Sequence, residues 1–412
     1  MNTSRVLKRL VNARKVVKEI VDDSIVIFEN ILLSNRHFTD LVILDDTFPF
    51  LLSAFRVFEF NYYLETFDNV EVHSRFRTFS SDKPLKPSRV LDDYYRLYPK
   101  NAHKIVKFNR RRRVKGQLVY FVFLENAIQF IDFIEQNKIP FVFTLYPGGG
   151  FQIGQVRSDE NLRRICSSSY FRGVIATQKI TRDYLISNSF CDKEMVEFIY
   201  GGVFPSEYLA SSGSVKKYYK QDKCTFDVCF VAHKYMPRGI DKGYDVFIEV
   251  AKKLSKSHKD IHFHVVGSFD KHDIDVRGID ERIRFYGPRA TSFFSEFYSD
   301  MDIILSPNAP FILNAGGFDG FPTGSCIEAG ICGVAVFCTD QLQQNIHFRD
   351  NSNIVITTRD PSDICERITH YYENCDSLYD LSEEGKNLFR SIFSEQYQLI
   401  PRRNVISRYL GR

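Results

Sequence analysis

The chain has 412 residues, of which 44% are apolar, 26% charged and 15% aromatic, and its formal charge is +4. This length exceeds what one ordinary hydrophobic core serves, so two domains are expected. A net charge this small does not indicate nucleic-acid binding, and no apolar stretch approaches the roughly 18 residues that a membrane-spanning helix needs.

The N-terminus lacks the apolar core of a secretory signal peptide, and the nine cysteines include no CxxC pair. They predict neither a disulfide framework nor a zinc site, so reduced thiols in the cytoplasm are expected. No metal and no other cofactor is expected. A metal role for the neighbouring acids Asp45 and Asp46 is the least favoured interpretation, because adjacent side chains point apart on a strand.

Residues 1–37 form a separate segment. Apolar residues recur there at helical spacing and Lys/Arg fill much of the remaining surface, which predicts a basic amphipathic helix; the apolar positions are Val6, Leu10, Ala13, Val17 and Ile20. Such a helix could lie on an anionic membrane surface, placing the protein peripherally on the inner face of the cell membrane. Docking on the chain's own body or on a second copy, as in a homo-oligomer, is an alternative of equal weight.

Short apolar segments alternate with helical patterns from residue 40 onwards, which is typical of parallel sheets covered on both faces. The predicted strands are 41–44, 70–74, 118–124, 141–146, 173–177 and 196–200, then 227–233, 261–267, 283–287, 302–306, 334–339 and 353–357. Residues 206–223, rich in Ser and Lys, read as a linker. The sequence therefore predicts two tandem doubly wound, Rossmann-like α/β domains at 38–205 and 224–385. Residues 386–412 are expected to form a helix that returns to the first domain.

Ligands of such sheets bind at the carboxyl ends of the strands, so the cleft between the domains is the expected site. One strand-end loop, 231–245, carries His233, Lys234, Arg238 and Lys242 just ahead of a helix. Cations there are unfavourable against the helix dipole unless an anion such as a diphosphate joins them. A solvated basic turn is the alternative.

A second loop, 306–330, is rich in glycine, which lets backbone amides approach a ligand closely. It contains Asp319 and Glu328. Ser325 and Glu328 also fit a capping box, in which Glu328 would only bond back to the start of its helix. A third loop brings Thr339 and Asp340 to the same edge of the sheet.

These segments resemble the nucleotide-sugar-binding domain of GT-B glycosyltransferases of the retaining family 4, or group 1, type. KGYDVFIEVAKKL resembles the Lys-Gly segment of that domain, and DGFPTGSCIEAGICGVAVFCTD resembles its acidic signature. The resemblance covers about residues 224–385 and, more weakly, 40–205. It implies transfer of a sugar from a nucleotide-diphosphate donor to a glycan or lipid-linked acceptor, with retention of configuration, in polysaccharide or glycoconjugate synthesis.

The resemblance also implies roles for single residues. Lys242 would contact the donor diphosphate, and Glu328 would bind the ribose hydroxyls. Asp319 would lie near the transferred sugar, with the backbone of Gly320 and Phe321 beside it. The remaining donor-binding candidates are Thr323 and the segment from Arg284 to Gly287, which would lie against the base.

The sequence departs from the family at two places. Asp319 replaces a Glu and is separated from Glu328 by one residue more than is common. His233 and Lys234 stand where the family has a phosphate-binding Arg, and Arg238 comes later, so three cations compete for that role. Lys cannot reproduce the planar bidentate grip of Arg.

The first domain is expected to bind the acceptor. TLYPGGGF (144–151) ends a strand in glycines, so Tyr146, Gly148 and Gly149 are cleft candidates; family members often carry His at the place of Tyr146. Arg56 and Glu59 follow an earlier strand, although at this spacing they could simply pair on the surface. Residues 103–116 hold seven Lys/Arg and no acid, which could steer an anionic acceptor or lipid surface, or form a solvated loop.

Two alternatives to transfer remain open. A nucleotide-sugar epimerase shares this architecture. A binding or scaffold protein with a degenerate donor site would explain the altered acidic signature.

Overall fold

The computed structural model describes residues 38–78, 85–211 and 214–411, which form two α/β domains. The predicted basic helix of residues 1–37 lies outside the described residues. None of the helices within them is long and apolar enough to cross a membrane.

The first domain is built on a seven-stranded sheet of order β3-β2-β1-β4-β5-β6-β7, in which all neighbouring strands are parallel. Its strands are β1 Thr39–Asp45, β2 Val70–Ser74, β3 Ile105–Lys107, β4 Gly116–Val122, β5 Phe141–Leu145, β6 Phe171–Ala176 and β7 Val196–Phe198. Its helices are α1 Ala54–Thr66, α2 Pro87–Leu97, α3 Leu124–Asn137, α4 Val156–Cys166 and α5 Lys179–Ser187. The central strands are buried on both faces, which explains their continuous apolar sequence.

The second domain has a six-stranded parallel sheet of order β10-β9-β8-β11-β12-β13. Its strands are β8 Phe226–Val231, β9 Ile261–Val266, β10 Ile283–Gly287, β11 Ile303–Ser306, β12 Ala335–Cys338 and β13 Val355–Ile356. The helices from the linker onwards are α6 Ser206–Ser211, α7 Tyr244–Ser257, α8 Phe294–Ser299, α9 Gly324–Ile331, α10 Pro361–Glu373, α11 Cys375–Ile392 and α12 Glu395–Tyr409.

The predicted architecture of two doubly wound sheets is confirmed, and every predicted strand is present within a few residues. One strand, β3, was not predicted. It lies inside the basic stretch 103–116 at the sheet edge, with Ile105 and Val106 half-buried and Lys107 exposed, so its sequence gives no apolar run to recognise. Residues 105–107 of that stretch are therefore not a solvated loop.

The C-terminal helix and the linker each pack against one of the domains. Helix α12 packs on the first domain: Tyr409 Oη donates to the carbonyl of Arg172 at 2.8 Å, and Gln117 Nε2 donates to the carbonyl of Leu410 at 2.9 Å. Within the linker segment, α6 is helical and Tyr219 is buried in the core of the second domain.

The strand order places the carboxyl ends of the strands at a shared cleft. In each sheet the chain winds outward from a central strand and then returns to its other side, between β1 and β4 and between β8 and β11. Loops diverge at such switch points and leave a crevice. The segments that leave β1, β8 and β11 are the ones that meet between the domains.

Candidate functional site

A cavity of about 270 Å³ lies between the two domains at these switch points. The second domain contributes most of the polar lining. Those polar groups are His233, Tyr235, Lys242, Arg289, Thr291, Ser306, Asn308, Asp319, Thr323, Ser325 and Glu328. The cavity thus brings Lys242 together with Asp319, 77 positions later in the chain, and with Glu328.

Lys242 and Asp319 form an ion pair at the centre of this lining. Lys242 Nζ donates to both carboxylate oxygens of Asp319 at 2.7 Å, and Asn308 Nδ2 donates to Asp319 Oδ2 at 2.7 Å. The Lys242 ammonium also lies 5.1 Å from the centre of the Tyr235 ring. The carboxylate of Asp319 and the ring of Tyr235 therefore fix the position of the Lys242 ammonium.

The Lys-Gly segment positions Lys242 through its backbone. Lys242 ends a short 3-10 helix, and Gly243 at φ +79° turns the chain into α7. A Cβ at Gly243 would lie 2.2 Å from the carbonyl oxygen of Pro307, so only glycine lets this turn pack against the loop after β11. The loop that carries Lys242 is thereby held beside the loop that carries Asn308 and Asp319.

The charges around Lys242 determine which groups are ionised in the unliganded protein. Burial lowers the pKa of Lys242, but the carboxylates of Asp319 and Asp241 outweigh burial and leave the pKa above its ordinary value. Burial and the Lys242 charge both lower the pKa of His233. At neutral pH Lys242 is therefore the charged group and His233 is neutral.

Glu328 also lines the cavity. Within the described part of the chain its carboxylate accepts no hydrogen bond, and burial raises its pKa to about 8. The residue that caps α9 is Thr323, with no side-chain capping bond, so the capping box predicted for Ser325 and Glu328 does not form. Glu328 therefore lines the cavity without bonding back to the start of α9.

The other basic residues of the loop after β8 differ in position. His233 lines the cavity. Lys234 turns away from it and forms an ion pair with Asp273 at 2.8 Å. Arg238 is exposed at φ +60° and does not line the cavity. Arg289, which sequence reasoning missed, does line it, and its position two residues after β10 is the signal that could have identified it.

The segment expected against the base lies only partly at the cavity. Arg284 lines a different cavity, of about 730 Å³, and not the cavity between the domains. Gly287 ends β10, and the residues after it, Pro288 and Arg289, reach the cleft. Gly320 and Phe321 line a small adjoining cavity of about 30 Å³, which shares Asp319 and Thr323 with the main one.

The glycine-rich loop bridges the two domains. Gly316 accepts a hydrogen bond from the backbone N–H of Ile153 at 2.9 Å, and a Cβ at Gly316 would lie 2.1 Å from the Ile153 carbonyl oxygen. Phe318 packs into the core of the first domain, 5.9 Å from the ring of Phe151. Close approach at Gly316 thus serves contact between domains, whereas the sequence suggested that the loop's glycines serve approach to a ligand.

The acceptor candidates of the first domain lie outside the cavity. Arg56 is buried and donates to Asp45 at 3.1 Å, while Glu59 is fully buried and accepts from the hydroxyls of Tyr63 and Tyr146 at 3.1 Å. The surface pair suggested for Arg56 and Glu59 is therefore wrong. Helix α1 is packed on several sides, so both residues find separate buried partners.

The remaining first-domain candidates have local structural partners. Gly148 accepts from the backbone N–H of Phe151 at 3.0 Å, and Gly149 accepts from that of Glu125 at 2.8 Å. Asp45 accepts bonds from the N–H groups of Thr47 and Phe48 and from Asn126. Among the described residues, no cluster of three His, Cys, Asp or Glu side chains could hold a metal ion.

The first-domain wall of the cavity is instead formed mainly by the end of the segment after β1 and by the first residues of α1. Its lining residues are Leu51, Leu52, Ala54 and Phe55. Sequence reasoning missed them because apolar residues beside a helix start read as core. Their position after the carboxyl end of β1, at the switch point, was the available signal.

Comparisons with known proteins agree with this geometry. Residues 226–374 match the family model described as glycosyl transferases group 1. No curated protein sequence matches the chain. The match agrees with the predicted resemblance to group 1 glycosyltransferases over these residues.

Solved structures share the fold of both domains. HepE of Anabaena, in complex with UDP-glucose, has 14% identity and a TM-score of 0.62, with 90% of this chain and 99% of that chain covered. A glycosyltransferase from Rickettsia africae has 14% identity and a TM-score of 0.61, with 91% and 99% covered. Sucrose-phosphate synthase from Thermosynechococcus elongatus has 12% identity and a TM-score of 0.59, with 90% and 99% covered.

Proposed function

We propose that this chain, whose second domain is a group 1 glycosyltransferase domain, moves a sugar from a nucleotide-diphosphate donor to an acceptor bound in the cleft between its domains. The observation that carries the proposal is the meeting of Lys242, Asp319 and Glu328 in one interdomain cavity. Each of the three has the chemistry that one part of such a donor requires.

The donor would lie along the second-domain wall. Sugar transfer builds negative charge on the departing diphosphate, and a fixed cation in a partly dry site stabilises it. Lys242 is that cation, and Arg289 is a second one at the same wall. Because these side chains can neutralise the diphosphate, we propose transfer that does not depend on a metal ion.

Glu328 would bind the nucleoside. A carboxylate without hydrogen-bond partners in a half-buried position is costly, and two ribose hydroxyls would supply the missing donors. The HepE structure contains UDP-glucose, so uridine donors are the first to test. Asp319 would then face the sugar from its position beside Lys242.

We propose that configuration is retained. Asp319 is held by Lys242 and Asn308, which makes it a poor nucleophile. Departure of the diphosphate and attack by the acceptor on the same face therefore fits better than a covalent intermediate. Association with an anionic membrane surface through residues 1–37 and 103–116, on the cytoplasmic side, stays part of the proposal.

A donor panel tests the function. The melting temperature of the full chain is measured with uridine, adenosine, guanosine and thymidine diphosphate sugars, and at least one is expected to raise it. Lys242→Ala should abolish the shift. Lys234→Ala is the matched control, because this lysine of the same loop is bound to Asp273. The absence of a shift with every donor would refute the proposal, and conversion of donor to an epimer without acceptor would indicate an epimerase.

A further inference from the structure

The first-domain wall of the cavity differs in chemistry from the wall that would hold the donor. Its lining residues Leu51, Leu52, Ala54 and Phe55 are all apolar, and so is Phe204, the further first-domain residue at the cavity. Nearby polar side chains of this domain already hydrogen-bond within the domain. Arg56 donates to Asp45, and Glu59 accepts from tyrosine hydroxyls. The wall thus offers an acceptor an apolar surface.

Sugar hydroxyls require hydrogen-bond partners when they leave water. A free oligosaccharide lying against the first-domain wall would find few such partners in its side chains. A hydrocarbon group would lose no hydrogen bond there and would gain from the removal of apolar surface from water. The wall therefore favours an amphiphilic acceptor over a free glycan.

A second apolar feature begins at the same cavity. The loop that contributes Asn308 and Asp319 to the lining carries three consecutive apolar residues at its tip. Phe311 is 44% exposed, Ile312 45% and Leu313 41%. Single exposed apolar residues are ordinary, but three in a row are not. Both ends of this loop are anchored, Asn308 on Asp319 and Gly316 on Ile153.

We infer that the acceptor is a lipid-linked glycan or glycolipid, whose apolar group lies against Leu51, Leu52 and Phe55 and passes the tip of the 311–313 loop. This inference rests on the proposed function, because the wall faces the Lys242–Asp319 pair and its occupant is then the second substrate. Lys242 and Glu328 bind the donor, whereas Leu51, Leu52 and Phe55 determine acceptor specificity.

The test compares acceptors that differ only in their apolar group. Methyl and octyl glycosides of the same set of sugars, kept below the micelle concentration, are titrated into the full chain with saturating uridine diphosphate, and binding is measured by calorimetry. The octyl glycosides should bind at least tenfold more tightly than the methyl glycosides. Removal of about two methylene groups from water suffices for that factor.

Substitutions in the wall and at the loop tip test whether these residues cause the preference for octyl glycosides. Leu52→Gln should remove most of the octyl preference, and Ile312→Ser with Leu313→Ser, at exposed positions with little risk to folding, should reduce it. Leu97→Ser is the matched control, since Leu97 is 62% exposed and does not line the cavity. Equal binding of both glycosides, no binding of the octyl glycosides, or a preference unaffected by these variants would overturn the inference.

The donor panel separates this inference from the proposed function. A donor-induced rise in melting temperature that persists in Leu52→Gln, together with equal binding of the two glycosides, would leave the function intact and refute only the lipid-linked acceptor. Loss of the donor effect in the wild-type chain would refute both.

Discussion

Lys242 Nζ lies 2.7 Å from both carboxylate oxygens of Asp319, although 77 residues separate the two in the chain. The pair joins the loop after β8 to the loop after β11, the two strands at the switch point of the second sheet. In the proposed complex it also joins the phosphate end of the donor to its sugar end. Lys242 can therefore exchange part of its contact with Asp319 for contact with a diphosphate.

Removal of Asp319 should separate nucleotide binding from sugar transfer. In Asp319→Ala, Lys242 loses its partner and stays available to a diphosphate, so nucleoside diphosphate should bind no less tightly than to the wild type. The contact with the sugar is lost, so transfer should fall by at least about tenfold, the effect of one good hydrogen bond to a charged group. Calorimetry and an initial-rate assay measure the two quantities. A parallel loss of both would show that Asp319 supports the nucleotide itself.

The raised pKa of Glu328 predicts a dependence of nucleotide binding on pH. Ribose hydroxyls donate to the ionised carboxylate, so the Kd of the nucleotide should fall as pH rises toward about 8 and level off above it. Glu328→Gln should bind more weakly and lose this component. Subtraction of the variant's profile removes the contributions of His233 and of the phosphates. Identical profiles would exclude Glu328 from the ribose site.

The same pKa predicts the pH dependence of folding for the unliganded chain. A carboxyl whose pKa is raised in the fold contributes stability that is complete below its ordinary value of 4.5 and is lost as pH rises through about 8. The free energy of unfolding of the wild type should therefore fall relative to Glu328→Gln over this window. Denaturant titrations at several pH values measure it. A constant difference across the window would contradict burial of this carboxyl.

Gly316→Ala should loosen the contact between the domains. The added Cβ would meet the Ile153 carbonyl at 2.1 Å, and the residue has φ +71°, so the variant should lose about 1–3 kcal/mol of stability. Small-angle scattering should show a larger radius of gyration. Gly317→Ala is the matched control, since its Cβ would find its closest neighbour at 3.2 Å, at ordinary φ. Equal effects of the two substitutions would argue against a contact between domains at Gly316.

Glu59→Ala tests whether this residue is structural. Its carboxylate accepts from the hydroxyls of Tyr63, Tyr120 and Tyr146 in a fully buried cluster near Arg402. Removal of one buried charged partner should cost about 3–5 kcal/mol of unfolding free energy. At a temperature where the variant is folded, nucleotide binding should be unchanged. A stable variant with a raised acceptor KM would return Glu59 to the acceptor site.

The fold could be predicted from the sequence because its signals are local. Each buried parallel strand reads as a short apolar run, and each helix shows its own period, so the order of elements gives the doubly wound topology. The meeting of Lys242, Asp319 and Glu328 could be predicted for the same reason. They lie in the segments that follow β8 and β11, and the ends of these two strands meet at one edge of the sheet.

The first-domain wall could not be predicted because it depends on side-chain packing between elements. Arg56 and Glu59 looked like an exposed pair, yet α1 packs on β2, on α12 and on the 3-10 helix Pro99–Lys104. Both side chains therefore turn inward, to Asp45 and to tyrosine hydroxyls. The role of Gly316 depends on Ile153, 163 positions earlier in the chain. No local sequence pattern indicates a contact with a residue so far away in the chain.

The most direct test of the central claim is the rate at which nucleoside diphosphate is released from the donor identified by the panel, in the presence of acceptor. The wild-type chain and Lys234→Ala should release it at similar rates, whereas Lys242→Ala should be slower by at least about 100-fold, the usual cost of removing one group that stabilises developing charge. A rate for Lys242→Ala within twofold of the wild type would contradict the account.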